Sequence, residues 1–289
     1  MNKTDFLYRF FIYFVLCIMA LSVIVPVLWV LLASFKQNYE FYQNPWSLPD
    51  ALYFQNFIDA WNKAGMGKYL MNSVSVTAMA LILLLVVAIP AAFVLSRYKF
   101  FASRFLKSAF MGGLFVNINY IVVPIFLMLV SADKIVKSIS GDGFFLNNPF
   151  ILALIYASSA LPFTIYLLSG YFVTIPKDFE EAAFVDGCSY FNMMTRIMLP
   201  VAKPSIITVI LFNFLSFWNE FIIAMTIMTK DKFKTLPVGL VALMKGDNAA
   251  AEYGRMYAGL VMVMLPTLIL YICVHKKLMR GMTAGGVKG

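Results

Sequence analysis

Apolar residues fall into six long blocks, near 10–35, 69–95, 105–130, 150–172, 205–228 and 257–274, with most of the charge in the segments between them. The hydrocarbon core of a bilayer is about 30 Å thick and an α-helix rises about 1.5 Å per residue, so roughly 20 apolar residues cross it. Each block is of that order. Within lipid a segment must satisfy its own backbone hydrogen bonds, which a helix does. The pattern predicts an all-α fold: a polytopic membrane protein with six transmembrane helices, residues 1–289 forming a single transmembrane domain. Pro26, Pro90, Pro124, Pro162 and Pro266 lie inside blocks and predict kinks rather than ends, because neighbouring helices can satisfy the freed carbonyls.

Composition agrees with lipid as the solvent: of 289 residues 62% are hydrophobic and 13% charged, and the mean hydropathy is +0.82. The net charge of +9 is dispersed between apolar blocks rather than gathered in a stripe, so no nucleic-acid partner is expected. Cys17, Cys188 and Cys273 form no CxxC and no Cys/His cluster, so neither a disulfide framework nor a metal site is indicated. The first apolar run is too long for a signal-peptide core and lacks a small-residue cleavage site, which makes it an uncleaved span. With the N-terminus in the cytoplasm, more than half of the 23 Lys and Arg fall in the inner segments. The positive-inside rule then places both termini in the cytoplasm. The first outer segment, 36–68, holds Trp46 and Trp61 and reads equally as a membrane-surface segment or an ordered loop.

The least membrane-like inner loop runs over 175–200. Pro176 suits a first helical turn, and Asp178, Glu180 and Glu181 place negative charge at the positive end of the helix dipole. A short helix over 176–187 is expected to stop at Gly187. Phe179, Ala182, Ala183 and Asp186 follow three-and-four spacing, which puts two small residues on one face, shallow enough to enter a partner's groove. An amphipathic connector lying on the inner leaflet is the plainer reading.

The wording of this loop, Glu181-Ala182-Ala183, three residues, Gly187, nine residues, Ile197-x-Leu199-Pro200, resembles the EAA loop of ABC importer permeases. Asn72-Ser73, Arg97-Tyr-Lys-Phe, Ile175-Pro, Trp218-Asn-Glu, Thr235-Leu-Pro-Val-Gly-Leu and the terminal Arg280-Gly-Met-Thr-Ala-Gly-Gly-Val-Lys-Gly289 extend the likeness to maltose-type sugar permeases. The resemblance implies a type I ABC importer permease in a bacterial inner membrane. It implies a second, homologous permease subunit, two ATPase subunits beneath, an extracellular solute-binding protein, and a sugar, preferably an oligosaccharide, as substrate. It also assigns Glu181, Ala182, Ala183, Asp186, Gly187, Leu199 and Pro200 to ATPase coupling. Lys288 and Gly289, in the 281–289 tail, would contact the ATPase, and the loop 229–255 would face the binding protein. The chain has no GxxxxGK[ST] loop, so no cofactor is expected here, with ATP and Mg bound by the ATPases. A single His and no nucleophile motif argue against an enzyme.

Glu220 is the one clear carboxylate within an apolar block, where a charge is costly and normally paired or turned to water. Together with Trp218 and Asn219 it offers the aromatic and hydrogen-bonding chemistry that sugars suit, or equally an interhelical lock. Asn213 and Asn117 are further pathway candidates, with Asn119 and Tyr120 beside the latter. Two rivals stay open: a secondary transporter driven by an ion gradient, and an ABC permease for a non-sugar solute.

Overall fold

The structure is a computed structural model that describes residues 3–245 and 252–286. Lys288 and Gly289 lie outside the described residues. In chain order the helices are α1 (Lys3–Ala33), α2 (Asn38–Gln43), α3 (Gln55–Asn62), α4 (Met66–Arg97), α5 (Ser103–Gly113), α6 (Ile118–Ser140), α7 (Pro149–Thr174), α8 (Asp178–Val185) and α9 (Tyr190–Met193). A π-helical turn (Met194–Met198) leads into α10 (Leu199–Asn219), then come α11 (Ile222–Ile227), a 3-10 turn (Asp231–Phe233), α12 (Leu236–Lys245) and α13 (Tyr253–Gly286).

Among the described residues six helical segments are long and apolar enough to cross a membrane: Leu7–Ala33, Met66–Arg97, Ile118–Ile139, Pro149–Thr174, Tyr190–Asn219 and Tyr253–Val274. All five prolines noted above sit inside helices. Two blocks differ from their expected extents. The third, 105–130, is divided: α5 ends at the Gly112-Gly113 pair, and Asn117 starts α6 by accepting the Asn119 N–H at 3.0 Å. Paired glycines are poor helix formers and Asn is a strong N-cap, so the apolar run does not stay one helix. The fifth block, 205–228, begins earlier and breaks at Glu220, whose backbone is extended. Ahead of it, Pro200 has no N–H to donate back along the helix and its ring crowds the preceding turn, and the π-helical turn beside it accommodates the defect.

The chain divides into two compact units. The first comprises 1–68 and 239–266. In it the buried Lys36 ammonium donates to the Asn44 and Pro45 carbonyls and the Ser47 hydroxyl, each at 3.0–3.1 Å. Asn56 bridges the carbonyls of Ser34 and Lys36. Gly254 lies so close that a Cβ there would meet the Asn56 amide and the Lys36 carbonyl oxygen. The segment expected as a surface-lying or ordered loop is thus an ordered, internally bonded one carrying α2 and α3.

The second unit, 69–238 and 267–289, holds the core that positions the 175–200 loop. On α4 the buried residues Val76, Ala80, Leu84, Ala88 and Ala92 recur every four positions, a seam rich in small side chains. Without a hydrophobic drive between helices in lipid, close backbone approach is what lets such helices associate. Ser169 of α7 reaches the Ala92 carbonyl, and Phe172 of α7 meets the Phe93 ring edge-on with centroids 5.7 Å apart.

Candidate functional site

The 175–200 loop is built outward from the end of α7. A residue before proline is pushed to extended backbone; Ile175, before Pro176, has φ −72° and ψ 129° and ends the helix. Helix α8 begins at Asp178, so Pro176 precedes the helix instead of occupying its first turn. Asp178, Glu180 and Glu181 fill that turn, and the N–H groups of Glu180 and Glu181 donate to the Lys177 carbonyl. At the other end Gly187 adopts φ +71°. Its N–H donates to Phe184 at 3.0 Å, and the Cys188 N–H to Ala183 at 2.9 Å. This is the paired closure of a Schellman motif, which satisfies carbonyls that the helix end would otherwise leave free.

The two alanines do not share a face as spacing alone suggested. Ala183 is 3% exposed and belongs to the core of the unit, whereas Ala182 is exposed along with Phe179, Glu181, Val185 and Asp186. Val185 is 88% exposed. Eight residues make barely two turns, and Ala183 is the side that holds them to the spans. The opposite side presents apolar and small groups that stay exposed among the described residues of this unit. Leu199 and Pro200 open α10 and follow the buried Met193 and Met198 in the chain, with Leu199 half-buried and Pro200 exposed.

Behind α8 stands a group that sequence reasoning did not assign to the site. Arg97, in the last turn of α4, places Nε 2.7 Å from Glu180 Oε1, with the two side chains 5% and 13% exposed. The same guanidinium donates to the Ile175 carbonyl at 2.5 Å. Tyr98 packs edge-on against Tyr190, which in turn packs edge-on against Phe184. Burial, then the nearby Glu180 carboxylate and Tyr190, hold the Tyr98 phenol above its ordinary pKa, with Arg97 pulling the other way. In the sequence Arg97 looked like one more inner-side cation and Glu180 like a dipole-capping acid, and only the fold makes them a pair.

The polar pathway candidates of the spans are bonded within the protein. Glu220 accepts the Tyr156 hydroxyl at 2.5 Å and the N–H groups of Ile223 and Ala224 at 2.7 and 3.1 Å, which caps α11. Asn147, itself at φ 57°, holds the far end of α11 by accepting the Lys230 N–H at 2.7 Å and donating its own N–H to the Ile227 carbonyl. Trp218 is buried and stacks on Phe214. Asn213 is buried and donates to the Thr164 hydroxyl and the Val209 carbonyl. Asn219 is exposed, with its amide donating to Leu215, and Asn117 is exposed at its cap position. None of these residues lines the cavity between α5 and α7.

That cavity, of about 800 Å³, lies among α4, α5, α7 and α10, lined by Lys107, Phe110, Tyr166, Tyr171, Thr208 and Phe212 among others. The hydroxyls of Thr174 and Thr208 at its wall donate to backbone carbonyls one turn back, so toward the cavity they are acceptors.

Residues 1–276 match the family described as binding-protein-dependent transport system inner membrane component. The chain is 34% identical over 271 residues to the diacetylchitobiose uptake system permease protein NgcG of Streptomyces coelicolor, covering 94% of this chain and 86% of that one. It is 30% identical over 275 residues to the diacetylchitobiose uptake system permease protein DasC of the same organism, covering 94% of each. Its fold is similar to a chain in the crystal structure of a bacterial ABC transporter involved in import of the acidic polysaccharide alginate, with TM-score 0.83, 21% identity, and 96% and 98% of the two chains covered.

Proposed function

This chain belongs to the binding-protein-dependent transport system inner membrane components, and from that membership we propose that it is one permease half of an ATP-driven ABC importer for a carbohydrate. The sugar assignment is supported by diacetylchitobiose, the solute named for two of its relatives, and by the polysaccharide importer whose fold it shares. A second homologous permease would complete the pathway, a solute-binding protein would deliver the sugar from outside, and two ATPase subunits would bind ATP and Mg from the cytoplasm. Both termini face the cytoplasm in this reading, as the distribution of Lys and Arg favours.

One observation carries the coupling role: α8 is a short, capped helix that is braced from behind and uncovered in front. Phe179, Ala182 and Val185 form a compact outward surface that an ATPase groove can receive, with Glu181 and Asp186 flanking it. Closure of the ATPases would press on this surface, and the backbone of the loop would pass the movement to α7 and α10. An ion-gradient mechanism is less favoured, because both oxygens of Glu220 already accept hydrogen bonds within the protein.

The test is to purify the chain from its native membrane in mild detergent and identify by mass spectrometry what remains bound. A second permease, an ATPase and a solute-binding protein are expected. A chain that emerges alone, or only as a homodimer without an ATPase, overturns the reading.

A further inference from the structure

Helix α8 is joined by backbone to α7 on one side, through Ile175, Pro176 and Lys177, and to α10 on the other, through 186–198. A push on α8 therefore reaches those two spans along covalent bonds. Helix α4 has no such continuity, yet its small-residue seam is part of the same core. What meets the loop from α4 is its last turn and the residue after it: Arg97, gripping Glu180 on α8 and the carbonyl of Ile175 at the end of α7, and the ring of Tyr98 against Tyr190.

Resting on the permease reading above, we infer that Arg97 is the positioning residue that makes α4 travel with α7 and α8 when the ATPases close. Two features separate this role from that of an ordinary interfacial cation. A headgroup anchor keeps its charge in water, whereas the Arg97 side chain is 5% exposed. Arg97 also meets the carboxylate and the backbone carbonyl with two separate nitrogens held in one plane, Nε and an Nη, whereas a lysine ammonium would have to reach both from a single atom on a flexible stem. Low exposure strengthens the ion pair electrostatically, and it makes loss of either partner felt at the other.

The experiment uses the full complex purified from its native membrane, with spin labels replacing Val94 on α4 and Val173 on α7, two side chains that are exposed in this chain. Distances are read by pulsed electron resonance without nucleotide and after trapping with MgATP and vanadate. With Arg97 in place, the α4 to α7 distance is expected to be single and unchanged by trapping, because the helices move as one body. In Arg97→Ala it should match that value without nucleotide and acquire a second, longer component on trapping. Should that variant not accumulate in the membrane, Glu180→Gln keeps the size, removes the charge and replaces one acceptor oxygen with an NH2 donor, and carries the same expectation. The inference is overturned if the variant's distance stays single on trapping, if it is already altered without nucleotide, as a merely structural brace would give, or if the Arg97 protein itself separates. A complex that contains no ATPase overturns the function reading, and is told apart by its lack of vanadate-sensitive hydrolysis.

Discussion

Replacing Gly187 separates the geometry of the α8 closure from the space around it. Apart from its two chain neighbours, a Cβ built on Gly187 would meet no atom of the described residues within 4 Å, so no clash with them opposes a side chain. The obstacle is the backbone, since φ is +71°. Left-handed conformation costs an ordinary L-residue about 1–2 kcal/mol, and a substituted glycine regains about 0.4–1 kcal/mol from a less disordered unfolded chain. The net penalty for Gly187→Ala is therefore roughly 1 kcal/mol, somewhat more for the β-branched Gly187→Val, and smaller for Gly187→Asn, because Asn tolerates this region. A penalty of this size is small against a whole protein but not against a two-turn helix whose last carbonyls depend on the closure. Membrane insertion should be normal in all three variants, and amide exchange at the substituted position and at Cys188 should speed up in the order Asn, Ala, Val. If backbone geometry is what coupling needs, ATP-dependent uptake in vesicles falls in the same order, with Asn nearest the wild type. Uptake by the Val variant at the wild-type rate would refute the reasoning. So would an Asn variant that exchanges slowly but transports no better than Val, which would locate the constraint in a partner's surface.

Other substitutions read the same structure from different sides. Ala183→Leu enters a packed position and should cost about 1–3 kcal/mol in thermal unfolding, whereas Ala182→Leu, on the exposed side, should stay within about 0.5 kcal/mol of wild type yet impair ATPase retention on co-purification. Glu220→Ala removes the cap of α11 and leaves the buried Tyr156 hydroxyl without its acceptor, together about 3 kcal/mol; unchanged thermal stability would argue against the cap. Gly254→Ala would drive a methyl group against the Lys36 carbonyl oxygen at 2.5 Å, an immobile backbone atom, and should destabilise the first unit by about 1–3 kcal/mol. Asp59 is held below its ordinary pKa chiefly by hydrogen bonds from Gln55 and then Lys63, and Asp231 by one from Lys234. A lowered carboxylate pKa stabilises the fold above the unfolded value and loses that effect as pH falls through the folded one. Thermal stability should thus decline slightly below about pH 4, and added salt should flatten the decline, since these groups lie near solvent.

The membrane class, the number of spans, the proline-bearing helices and the 175–200 loop were all legible in the sequence, because each rests on local properties. Apolar length decides what crosses lipid, and Gly187 nearly dictates where α8 ends, since it is the residue that takes positive φ without strain. The limits of local reasoning show at particular residues. Spacing put Ala182 and Ala183 on one face, but on a two-turn helix adjacent residues point about 100° apart, and which of them turns inward depends on the spans behind. Asn117 and Glu220 read from sequence as pathway candidates, Glu220 equally as an interhelical lock, because polar residues in apolar runs suggest solvent, solute or a partner helix. In the fold they cap α6 and α11 and break two runs that hydropathy, blind to hydrogen-bond partners, sees as continuous. The pairing of Arg97 with Glu180 joins residues far apart in sequence, and nothing in either neighbourhood announces it. Local chemistry determined the elements of this protein, and tertiary packing alone decided which charges meet, because a contact between distant segments exists only once the helices between them have been placed.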